Sequence, residues 1–103
     1  MLKVKNMVSA SSGREVANQF VITNYDDFNN TVTFQSYNST IAIVDFNKQG
    51  AERLTLGRHW DYSRTTSKYL YQFLREYFGI SADKKSLETA IKNKDIAYNE
   101  NLV

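Results

Sequence analysis

Apolar residues recur at every second position through the first half of the chain and at every third or fourth through much of the second. The alternation is clearest in VANQFVIT (16–23), where Val16, Asn18, Phe20 and Ile22 interleave with Ala17, Gln19, Val21 and Thr23. It returns in TVTFQSY (31–37), with Val32 and Phe34 on one face. In TIAIVDF (40–46), Ile41 and Ile43 oppose Ala42, Val44 and Phe46. Period two marks strands, and apolar residues on both faces of 40–46 predict a central strand covered on both sides. Residues 2–8 and 52–56 complete a predicted antiparallel meander of four to five strands. The connections are rich in residues that bond their own backbone or tolerate unusual dihedrals: SASSGRE (9–15), NYDDFNN (24–30), Asn38-Ser39 and NKQG (47–50).

The period lengthens at Ser63. Thr66, Tyr69, Leu70, Phe73, Leu74, Tyr77 and Phe78 form one stripe, which predicts an amphipathic helix over 63–79 packed on the sheet. Ser63 or Thr65 is its expected N-cap and Gly79 its C-cap. A second, shorter helix is predicted over 81–94, capped by Ser81, with Leu87, Ala90 and Ile91 inward. The tail 95–103 either adds a strand or frays. Strands followed by helices indicate an α+β fold, and 103 residues suit a single domain spanning 1–103, with the sheet in 1–56.

Composition mainly removes chemistries. There is no Cys, hence no disulfide, thiolate metal site or cysteine nucleophile. The single His59 and Asp61 share a strand face if extended, but no second His exists to build a metal centre. Asp45, Asn47, Gln49 and Gly50 imitate the start of a calcium loop, yet the twelfth position is Leu56 rather than a bidentate carboxylate. Gly13, Gly50, Gly57 and Gly79 are scattered, so no nucleotide-binding or nucleophile-elbow pattern forms. No metal, cofactor or catalytic residue is expected, and the chain reads as a non-enzyme. It has no apolar run of spanning or signal-peptide length, which predicts a soluble cytoplasmic protein without membrane contact.

One stretch departs from ordinary packing material. GRHWDYSRTTSKY (57–69) gathers Arg58, the only His59 and only Trp60, Tyr62, Arg64 and Lys68. Gly57 is expected to free the backbone after the last strand. Burial is the expectation for Trp60, with Arg58, His59 and Tyr62 framing an exposed corner. Together, Arg58, His59, Trp60, Tyr62, Arg64 and Lys68 are the candidate contact residues for a protein partner, being types that dominate interface energies. A second set, Arg64, Lys68, Gln72 and Arg75, falls on the helix face opposite the apolar stripe and suits nucleic acid, although the net charge is only +2 and Glu76 dilutes it.

EVANQFVI (15–22), TFQSYNSTIAI (33–43) and HWDYSRTTSKYLYQFL (59–74) resemble a family of small proteins, a domain of unknown function, from phages and mobile elements of Gram-positive bacteria. The resemblance covers roughly residues 1–95. It implies a phage accessory protein in the host cytoplasm and brings no activity or cofactor. The polar residues of these blocks, Asn18, Gln19, Gln35, Ser36, Tyr37 and Ser39, include amides suited to bonding the strand-to-helix connection from inside. The expected function is stoichiometric binding to a host protein, with inhibition of host defence of the anti-CRISPR type as one concrete form. A nucleic-acid-binding accessory factor is the alternative, and a structural or assembly role the third; a free edge strand leaves room for a homodimer.

Overall fold

The structure, a computed structural model, describes residues 1–103. Six strands form one sheet in chain order: β1 (Leu2–Val8), β2 (Glu15–Tyr25), β3 (Asn30–Ser36), β4 (Ser39–Asp45), β5 (Leu54–Gly57) and β6 (Ala97–Asn99). Helices α1 (Arg64–Tyr77) and α2 (Lys84–Lys92) lie between β5 and β6. The fold is α+β, with one strand more than the meander predicts. The addition comes from the tail: β6 pairs with β5 in parallel, while every other pair is antiparallel. The expected strand at 52–56 begins later, because Gly50–Arg53 form a single 3₁₀ turn.

Cross-strand register explains the core. Val21, Phe34, Ala42 and Leu56 stand opposite one another across β2 to β5, and Val32, Val44 and Leu54 form the next row. Both rows are buried under Tyr69, Leu70, Phe73 and Leu74 of α1. Phe34 stacks on Phe73 with ring centroids 5.6 Å apart. Burying a side chain of that size contributes about 1.5–3 kcal/mol.

A bulge corrects the reading of 40–46. Phe34 pairs with Ala42 and Gln35 with Thr40, so Ile41 is an extra residue and is buried with Ala42 rather than opposite it. The other face of the sheet is not covered as expected. Its central row, Val4, Ile22, Thr33, Ile43, Thr55 and Ala97, is half-buried or exposed, since both helices pack on the core side.

The helix ends are set by side chains. Ser63 Oγ accepts from the Thr66 N–H at 3.1 Å, which makes Ser63, not Thr65, the cap of α1. Gly79 follows α1 in the left-handed region (φ +74). Asp83, not Ser81, caps α2 in a reciprocal box with Ser86, and this delays the second helix to Lys84. Gly57 is no swivel. It is buried, and a Cβ there would run into the Thr40 carbonyl oxygen and the tail at Leu102. No helix is long and apolar enough to cross a membrane.

Candidate functional site

The link from β5 to α1 folds as two successive turns. The Trp60 N–H donates to the Gly57 carbonyl at 3.2 Å, and the Tyr62 N–H donates to the His59 carbonyl at 3.1 Å. Trp60 is thereby sent inward, 6% exposed, and leaves the contact surface. Tyr62 is sent outward, 77% exposed, with its ring edge-on to His59 at 5.6 Å. It therefore does not staple the start of the helix to the core.

The six residues proposed for a protein partner fall into two groups: His59, Tyr62, Arg64 and Lys68 on a cavity and a groove that share Tyr62, and Arg58 with Trp60 on a second recess. Arg58 and Trp60 line a recess beside α2 and Tyr98. His59 and Tyr62 line a cavity on the β3–β4 side, and Arg64 and Lys68 line a groove along α1. The helix winds away from the link, so residues close in sequence diverge in space.

The nucleic-acid set holds together better. Arg64, Lys68 and Arg75 line one groove of about 830 Å³ with Tyr62 and Tyr71, and the start of α2 adds Lys84. Asp61 is the only carboxylate among the lining residues, and the chain's one ion pair, Lys48–Glu52, lies elsewhere. Gln72 lines the same groove, but its amide is already engaged. It is 5% exposed, and its Nε2 donates to the Val8 carbonyl at 2.6 Å and to Glu76 Oε2 at 3.0 Å. Position 72 lies four residues from Lys68, but the carbonyl of Val8, at the end of β1, takes its amide.

The cavity at the head of this groove measures about 460 Å³ and is rich in hydroxyls. Ser36 Oγ and Thr66 Oγ1 share a buried hydrogen bond of 3.0 Å, and Ser63 Oγ donates to the same Thr66 oxygen at 3.1 Å. That Ser36–Thr66 bond ties β3 to α1, a task the sequence suggests for buried amides. Gln19, directly opposite Ser36 on β2, is wholly buried, yet neither of its amide atoms finds a partner. Asn18 is exposed, and Gln35 Nε2 donates to the nearby Tyr37 carbonyl at 2.7 Å.

Tyr37 is the strained residue of this corner. Ser36 and Ser39 pair, leaving Tyr37-Asn38 as a two-residue hairpin turn, and Tyr37 sits at φ +54. Positive φ at the first turn position alone is the type II′ pattern, which favours glycine. The Tyr37 N–H donates at 2.7 Å to the carbonyl of Asn18, itself left-handed at φ +65. The two strained residues hold each other.

The stretches 15–22, 33–43 and 59–74 thus meet at one corner: Gln19 from the first, Ser36, Tyr37, Ser39 and Ile41 from the second, His59, Tyr62, Ser63 and Thr66 from the third. A family model described as a family of unknown function (DUF8033) matches residues 2–96. The chain belongs to that family. The description carries the unknown-function part of the resemblance and nothing about phages or Gram-positive hosts. No curated protein and no solved structure matches the chain.

Two contributors escape the sequence reading. Lys84, the first residue of α2, reaches the groove, and nothing local to ADKKS (82–86) signals that neighbourhood. Tyr37 does carry a signal: a bulky ring in a turn of only two residues, where Gly or Asn is the ordinary choice.

Proposed function

We propose that the protein is a non-enzymatic accessory factor that holds single-stranded nucleic acid in the groove along α1. The observation that carries this reading is the placement of Arg64, Lys68, Arg75 and Lys84 around one groove against a single carboxylate, Asp61. None of the four is spent on an ion pair. Cations spaced along a groove fit a backbone of regularly spaced phosphates, and Tyr62 at its head offers a ring to an unstacked base. A duplex offers no such base, which favours the single strand. The modest net charge of +2 is compatible, because the groove concentrates positive charge that the rest of the surface balances.

Fluorescence anisotropy with a labelled oligonucleotide over a salt series tests this. Four phosphate contacts give log K against log salt a slope of roughly −3, and Arg75→Ala makes it shallower by about 0.7. No binding at low salt removes the reading.

A second reading is stoichiometric binding to a host protein by a phage or mobile-element accessory factor, with anti-CRISPR-type inhibition as one form. It is supported by the exposure of Tyr62 and Arg58 on the link between β5 and α1. A pull-down from host lysate, repeated with Arg58→Ala and Tyr62→Ala, tests it; an unchanged partner list excludes that corner as the contact.

A further inference from the structure

The hydroxyl-lined cavity at the head of the groove has a chemistry of its own. Tyr62 and Ser63 line both the cavity and the groove, so the two are continuous. None of the eight cavity residues is Lys, Arg, Asp or Glu. A charged group would find no counter-charge there. Three of its four aliphatic hydroxyls are already bonded to one another, which leaves Ser39 without an internal partner. Most of the exposed lining is carbon, so the cavity suits a flat neutral ring held chiefly by its faces. Tyr37, 56% exposed, and Tyr62 supply rings for its faces. The size, about 460 Å³, lies within the range of about 300–1,000 Å³ usual for small-ligand sites.

We infer that this cavity takes one unstacked nucleobase of the strand whose phosphates occupy the groove. The inference rests on the groove reading and adds to it a site for a base. Backbone strain is the independent support. A left-handed tyrosine at a glycine position is kept only where its ring is needed, since glycine supplies the same turn without strain. Gln19 adds a second cost at the same place: a wholly buried amide with no partner, standing against Ser36 of the cavity wall. Continuity with a groove lined by four cations and one carboxylate favours a base of the same strand over an aromatic side chain of a protein partner.

The test compares two labelled single strands of equal phosphate number, one with bases and one abasic, titrated against the intact protein. The base-bearing strand binds about tenfold tighter or more. Tyr37→Gly and Tyr62→Ala each reduce it to the abasic level while the salt slope stays unchanged, because neither removes a cation. Tyr37→Gly also relieves the strained turn, so its loss of binding is not a loss of fold. Equal binding of the two strands by the native protein overturns the base site and leaves the groove standing. Failure of both strands at low salt overturns the groove and the base site with it. Displacement of the base-dependent binding by N-acetyltryptophanamide, but not by free nucleosides, reassigns the cavity to a protein side chain and overturns the inference.

Discussion

The two ends of β3 are turned in opposite ways. At one end, Asp26 closes the β2–β3 connection with its own carboxylate: Oδ1 accepts from the N–H groups of Phe28 and Asn29, both at 2.8 Å, and from Asn29 Nδ2 at 3.1 Å. Every polar group named there has a local partner, and the residues are those a turn favours. At the other end, a tyrosine occupies a left-handed position and a buried glutamine lies without a hydrogen bond across the sheet. The first end is built for stability. The second carries unrelieved cost beside a cavity, and such cost marks the end with a task beyond folding.

Four substitutions test that contrast. The largest effect belongs to Trp60→Ala, which empties a core position beneath the link between β5 and α1 and lowers unfolding stability by about 3–5 kcal/mol in urea titration; a loss under 1 kcal/mol, on the order of a surface change, breaks the core assignment. Gln19→Met, which replaces an unpaired amide with an apolar chain of similar length, raises stability by about 1 kcal/mol or more. A destabilised Gln19→Met variant means that the amide is already satisfied. Tyr37→Gly raises the melting temperature through a gain of about 0.5–1 kcal/mol, since relief of the left-handed strain outweighs the added chain entropy.

The smallest effect lies at the quiet end. Hydrogen bonds from the Phe28 N–H, the Asn29 side chain and the Asn29 N–H hold the Asp26 carboxyl below its ordinary value. The folded state thus favours the charged form, and the resulting stability is complete above the ordinary carboxylate value of about 4. It is lost as pH falls through the lower folded value. The stability difference between the native protein and Asp26→Ala therefore narrows as pH drops from about 5 to about 2. A difference that stays constant over that range separates Asp26 from the acid limb.

Local pattern carried the reading as far as local forces decide the structure. The stripe from Thr66 to Leu74 and the alternation in 31–37 are periodicities the chain cannot satisfy otherwise, and α1 and β3 formed where they predict. The turn at Asp26 was equally plain. The burial of Gln72 was missed because the group that claims it, the Val8 carbonyl, lies 64 residues away. The face of Ile41 was missed because a bulge shifts register without leaving a mark in the alternation. At the site, the cations at 64, 68 and 75 were visible as a helical face. The cavity was not, because it is assembled from three stretches that only the folded sheet brings together.

The parallel pairing of Ala97–Asn99 with β5 sets an order of events. Each of the first five strands needs only its neighbour in the chain, so their contacts close short loops and form early. The sixth has to wait until two helices have settled, because residues 58–96 separate it from the strand it joins. Amide protons at Ala97–Asn99 consequently exchange ahead of those in β3 and β4, and the molecule comes undone from its C-terminal seam inward.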